Sequence, residues 1–316
     1  MTTNRIDVHH HVLPEFYKDA QRAVGIMGSA YRGFPEWTAD KSLAVMERHG
    51  IAATILSFTS PGIWFGDPAQ TRDLARQCND FLAGLAVDYL GRFGGFAFLP
   101  LPGIDDSLAE IDRLYGELKL DGVTLLTSVA DRYIGHPDFE PVYAELNRRK
   151  AVVLIHPCYP PGTEADGWDI PRMLIDYPFE TCRVATNLIF QGVTTRYPDI
   201  RFILSHAGGV LPFLAHRISI FDKHTSFQDN YPDGAMAHIR RFYYDTALSG
   251  DAVPLAALSG VVDPSRVLFG TDYPYALEEM IADETAGFDA YDGFDDTTRA
   301  AVNRGNAEPL FPRFAN

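Results

Sequence analysis

The chain has 316 residues, 46% of them apolar and 22% charged, proportions that belong to a folded globular protein and exclude a disordered or fibrous one. With 27 Lys and Arg against 42 Asp and Glu, the formal net charge is −15, which argues against nucleic acid as a partner, because phosphate backbones are bound by excess cation. MTTNRIDVHH has no basic stretch leading into an apolar one, and no window approaches the roughly 18 apolar residues of a membrane span; the expectation is a cytoplasmic protein without a membrane partner.

In chain order, β-rich apolar runs occur at Arg5–His11, Ala53–Phe58, Arg92–Pro100, Gly122–Leu126, Ala151–Pro157, Arg201–His206, Phe242–Ala247 and Val267–Asp272. Most are nearly continuous in apolar residues, as parallel strands buried on both faces are. The segments between them have helical spacing; Thr38–His49 is one, followed by Gly50 where a C-cap is wanted. No repeat or Pro/Ser/Gly linker divides the chain. Eight β-then-α alternations predict an α/β fold, a single (β/α)8 TIM barrel over residues 1–316. Long connections at Gly28–Trp37 and Tyr159–Pro171 would lie over the C-terminal face, and a helical extension would close the chain. Aromatics of the mouth loops, among them Trp37, Trp64, Tyr159 and Trp168, would supply pocket walls.

Catalytic groups of such barrels come from the C-terminal ends of the strands. Polar residues that can bind metal end four of the runs here. The first ends in His9-His10-His11, and alternation puts His9 and His11 on one side with His10 on the other, an arrangement that can chelate one ion. The fifth run ends in His156, the sixth in His206 and the eighth in Asp272. A lone histidine at a strand end is more often a packing residue, but several together on strand ends of one barrel are hard to assign to packing, since each buried polar group needs its own partner. The expected site is mononuclear, with imidazole and carboxylate suited to zinc or manganese. His49, His136, His216, His224 and His238 fall on or beside helices and read as solvated or capping residues. Cys78, Cys158 and Cys182 form no CxxC pair, so neither a disulfide framework nor a zinc knuckle is expected. Cys158, two residues beyond His156, reads as a small buried hydrophobe.

IDVHHHVLP, VLIHP, FILSHAGGVLP and VLFGTDYP, with PFETCRVATNLIFQG and RGNAEPLF, resemble in order and spacing the amidohydrolase-related decarboxylases, the group that includes aminocarboxymuconate-semialdehyde, γ-resorcylate and 6-methylsalicylate decarboxylases. SPG at Ser60–Gly62 and LPLPG at Leu99–Gly103 look most like the 6-methylsalicylate branch. The resemblance implies His9, His11, His156 and Asp272 as ligands of one divalent ion, zinc or manganese, and His206 as the acid/base histidine. No lysine stands in GVTLL to bridge a second ion. It further implies Arg32, in the loop after the first strand, as a holder of the substrate anion, and Arg217, eleven residues beyond His206, as an arginine reaching a neighbouring subunit's site in a homodimer or dimer of dimers. The implied reaction is non-oxidative decarboxylation of a small aromatic acid of the ortho-hydroxybenzoate type, with Asp272 or His206 as proton donor. Hydrolysis of a lactone by a metal-bound hydroxide is the alternative, because barrel and ligands do not fix the reaction.

Overall fold

The computed structural model describes residues 4–29, 32–162, 171–224 and 228–315, the side chains of residues 29 and 32 excepted. Eight parallel strands follow one another around a sheet in chain order: β1 (Arg5–His11), β2 (Ile51–Ser57), β3 (Phe93–Phe98), β4 (Gly122–Leu126), β5 (Val152–His156), β6 (Arg201–Leu204), β7 (Tyr243–Asp245) and β8 (Val267–Leu268). The circle closes where β8 runs into β1. The Val8 amide donates to the Phe269 carbonyl at 2.9 Å, the Asp272 amide donates to the His9 carbonyl at 2.8 Å, and His10 and Tyr273 form a parallel bridge. A helix covers each strand from outside, from α2 (Ala39–Arg48) after β1 to α9 (Glu278–Ala290) after β8; α1 (Glu15–Arg22) is an extra turn in the first loop. The expected (β/α)8 barrel is what forms. Thr38 caps α2 by accepting the Lys41 amide, and Gly50 turns the chain into β2 at φ 65°.

Two apolar clusters hold the barrel. The larger lies between sheet and helices. The smaller fills the barrel interior with Ile6, Val8, Ile55, Phe96, Leu154, Ile203 and Leu268, and is sealed from below by Leu310, Phe311 and Phe314 of the C-terminal segment. Asp296–Ala300 begins that segment and continues into a π turn, Ala301–Gly305. Beneath the plug, Arg313 pairs with the buried Asp121, whose other oxygen accepts the Gly95 amide.

Several strands are shorter at their C-terminal ends than the sequence suggests. β6 stops at Leu204 and β8 at Leu268, because His206 and Asp272 take left-handed backbone conformations, φ 56° and 63°. Non-glycine residues rarely adopt this region. Among the described residues no helix is long and apolar enough to cross a membrane.

Candidate metal centre

A bulge in β1 builds the ligand set. Asp7 pairs with Thr54 of β2, but His10 rather than Val8 or His9 comes next in register, beside Leu56. One extra residue in β1 therefore leaves Asp7 and His10 on the outer face together, and turns His9 and His11 inward in line with Ile6 and Val8. Strict alternation from those apolar residues would have sent His10 inward. His10 instead packs outside, its Nδ1 at 3.0 Å from Asp7 and its Nε2 at 3.0 Å from Ser42. Gly270 lets β8 pass close by, since a Cβ there would lie 2.9 Å from that of His9.

The three inward imidazoles are each held by Nδ1. His9 Nδ1 lies 2.8 Å from Asp245 Oδ2, His11 Nδ1 2.9 Å from Ser57 Oγ, and His156 Nδ1 2.8 Å from the Pro157 carbonyl. With Nδ1 donating, each Nε2 would turn its lone pair to a bound ion. The Nε2 atoms of His9 and His11 face each other at 3.0 Å, and Asp272 Oδ1 lies 3.0 Å from His11 Nε2 and 3.4 Å from His9 Nε2. One donor atom from each of His9, His11, His156 and Asp272 falls within 4.8 Å of the others, all four residues being buried. Two lone pairs at such a distance, next to a carboxylate, repel unless a cation or a proton stands between them. These four residues form a metal-binding site, and its donor chemistry fits a divalent ion.

The electrostatics agree. Burial would lower His9, but the carboxylates of Asp245 and Asp272 outweigh it and push the imidazole up to about 10. Burial takes His11 down to about 4 against the pull of Asp272, and burial together with the neighbouring imidazoles holds His156 well below the usual histidine range. For Asp272 burial works in the opposite sense, yet hydrogen bonds from His11, His206 and His9 keep the carboxyl well below its ordinary value. Asp272 is therefore an anion at neutral pH.

His206 joins the site without joining the ligand set. Its Nε2 is 3.5 Å from Asp272 Oδ2, and its ring centroid is 4.9 Å from that of His9. Its amide donates to Asp245 Oδ1 at 2.9 Å. Asp245, at the end of β7, thus fixes both a ligand and the histidine behind it, and sequence reasoning passed over it. Asp7 was passed over too. It accepts from the His9 amide, the Thr271 amide and hydroxyl, and His10, tying β1 to β8. The signal was available in each case, since a carboxylate inside a strand buried on both faces demands partners.

The remaining expectations divide. Arg217 is exposed on α7 (Leu211–Ser219). Arg32 pairs by its backbone with Ser29 in a two-residue hairpin; its side chain lies outside the described residues, as does Trp168. Trp37 is no mouth residue: it is buried, and its indole N–H donates to Ser42. Cys158 is buried against Thr127 and Ser128, within hydrogen-bond distance of both hydroxyls. His136 caps a turn, whereas His238 is buried, with neither ring nitrogen hydrogen-bonded among the described residues, which corrects its reading as a solvated or capping residue.

The family profile for Amidohydrolase matches residues 6–313. The chain belongs to the amidohydrolase family. Among similar members, 6-methylsalicylic acid decarboxylase of Penicillium expansum is 36% identical over 98% of this chain and 96% of its own length. Decarboxylase macB of Penicillium terrestre is 38% identical over the same shares. Among solved amidohydrolase structures, dihydroxybenzoic acid decarboxylase from Polaromonas sp. JS666, with bound manganese and the inhibitor 2-nitroresorcinol, superposes with a TM-score of 0.84 at 23% identity, covering 99% of this chain and 98% of that one; this likeness is one of fold.

Proposed function

We propose that this amidohydrolase is a metal-dependent, non-oxidative decarboxylase of ortho-hydroxybenzoates, with 6-methylsalicylate as the reference substrate. The observation that carries the reading is a buried donor set of three imidazoles and a carboxylate with a non-ligating histidine set against the same carboxylate. One divalent ion per chain, zinc in this reading and manganese as the alternative, would supply a Lewis-acid template for the substrate carboxylate and its ortho oxygen.

The residues divide the remaining work. Asp272, ionised, has Oδ1 on the ligand side and Oδ2 toward His206. A carboxylate held so far toward its anion is a poor proton source, so His206 is the donor and the transferable proton sits on Nε2, steered by Asp272. The proton goes to the ring carbon that bears the carboxylate; the bond to the carboxylate then breaks, its electron pair restores the aromatic ring, and carbon dioxide leaves. Asp245 holds the His206 amide and the His9 ring, fixing donor and ligand relative to one another. Arg32 is assigned to the substrate anion.

We assign the working unit to a homodimer in the cytoplasm, with the whole of residues 1–316 forming one domain. Phe213, Ile220 and Phe221, three or four residues from Arg217 on and after α7, are exposed apolar side chains, as is Phe179 near the start of α6 (Asp176–Phe190), apolar surface of the kind that subunit contact covers. Arg217 then serves the partner's site, where a guanidinium holds a carboxylate through two parallel bonds. Co-refolding inactive Arg217→Ala and His206→Ala chains should restore activity at roughly a quarter of sites under random pairing into two-fold dimers; no recovery in confirmed mixed dimers removes Arg217 from the chemistry.

The function is tested by incubating metal-loaded protein with 6-methylsalicylate. Carbon dioxide and 3-methylphenol should appear in equal amounts, and benzoates without the ortho hydroxyl should be inert. Ring opening of aryl lactones without loss of carbon, and no decarboxylation, would replace this reading by hydrolysis.

A further inference from the structure

A cavity of about 460 Å³ opens at the barrel mouth beside the metal centre. Among the described residues its floor is Phe98 of β3 with Thr124 and Leu126 of β4, and its walls include Ile63 and Trp64 after β2 and Tyr159 after β5. No ligand lines it, but it lies one residue away from them: Leu126 is the strand partner of His156, and the Tyr159 ring lies 5.4 Å from that of Tyr177, which in turn lies 6.1 Å from that of His156. The proposed reaction does not require a space of this size. A bare benzene ring is accommodated by a cavity of about 150 Å³, a third of what is present, and the carboxylate and ortho oxygen are spent on the metal side.

One atom in the cavity is out of balance. Thr124 is almost fully buried, lines the floor, and its hydroxyl has no hydrogen-bond partner among the described residues. An unpaired buried hydroxyl costs about 1–3 kcal/mol, and it stands among apolar side chains where a ligand atom could relieve it. Ser128, Asp131 and Arg172 also line the cavity, so the apolar stretch of Ile63, Trp64 and Leu126 is one side of a mixed site that can both bury a chain and place polar groups.

Resting on the decarboxylase reading, we propose that the preferred substrate is a salicylate whose ring carries a substituent longer than methyl, its carbon chain lying along Ile63, Trp64 and Leu126 and a hydroxyl or carbonyl oxygen near the ring meeting the Thr124 hydroxyl. The cavity then sets specificity while the metal centre performs the same decarboxylation on every member of the class.

The test is kcat/KM of the metal-loaded enzyme on 6-methyl-, 6-propyl-, 6-pentyl- and 6-(2-oxopropyl)salicylate, read as carbon dioxide release. Rates should rise about fourfold per methylene from methyl to pentyl, the yield of burying one such group. The oxo compound should exceed the propyl one by about fivefold, a gain that Thr124→Val removes. Val129→Phe, at a half-buried wall position, should collapse the pentyl-to-methyl ratio. Turnover of 6-methylsalicylate with rates that fall as the chain grows, or a pentyl-to-methyl ratio untouched by Val129→Phe, overturns the proposal and leaves the decarboxylase reading standing. An oxo-to-propyl ratio that survives Thr124→Val overturns the role of Thr124. Carbon dioxide from none of the four overturns both readings.

Discussion

At the lower end of the barrel the inward residues of the strands are Ile6, Ile55, Phe96 and Val152, closed off by Phe311 and Phe314; at the upper end they are His9, His11, Ser57 and His156, one or two inward positions further along β1, β2 and β5, joined by Asp245 of β7. Below, burial is repaid through transfer of apolar surface from water. Above, burial is unfavourable for each group taken singly and becomes tolerable because the charges are paired and the lone pairs would share a bound cation. Stability and chemistry are thus separated along one axis, and changes at the two ends should register in different measurements.

The largest separation is expected between ligand and acid. His11→Ala should abolish both bound ion and turnover, whereas His206→Ala should retain one ion per chain by elemental analysis and lose about 100-fold or more in kcat, the scale of a general acid. Metal-free His206→Ala protein, or full activity in it, breaks the division of roles. Asp245→Asn sharpens it: with His9 no longer anchored to a carboxylate, metal affinity should weaken by about 10- to 100-fold in chelator competition. An unchanged affinity would reduce Asp245 to a packing residue. At the other end, Phe311→Ala should cost about 3–5 kcal/mol in urea unfolding, with kcat per bound ion retained; a fall in kcat at full metal occupancy would show that the ends are coupled. The smallest effect is a proton count. Since His9 is pushed up to about 10 by its two carboxylates while His11 and His156 are lowered, the metal-free cluster carries one proton at pH 7 that an incoming ion must expel. Calorimetry in buffers of different ionisation enthalpy should report about one proton released per ion, and affinity should climb as pH rises toward 10. Zero release would mean that His9 is already neutral.

The barrel was legible because eight buried strands leave a periodic trace, and the ligands because imidazoles and a carboxylate stood where apolar residues were due. What alternation could not supply was direction. From Ile6 and Val8 alone it points His10 inward, and only the bulge between Asp7 and His10, a matter of pairing with Ile51–Ser57 far along the chain, turns His9 and His11 to the interior. The ends of β6 and β8 were illegible for a related reason: SHAGG and GTDYP look strand-like up to the functional residue, yet His206 and Asp272 sit in left-handed conformations that local sequence does not announce. Asp245 was hidden by its position in FYYDTA, which reads as ordinary strand until the carboxylate is asked what it bonds.

The bonds that close the barrel pass through the ligand residues themselves. The His9 carbonyl takes the Asp272 amide, His10 bridges Tyr273, and the Asp7 carboxylate straps Thr271 across the same join. Mechanically, the ring of strands has a clasp, and the clasp is the metal-binding site. An ion gripping both sides would lock it, so that losing the metal loosens the chain at one known seam before anywhere else, and the earliest amides to exchange with solvent in the stripped protein should be those of Thr271 and Asp272, while the plug at Phe311 still holds.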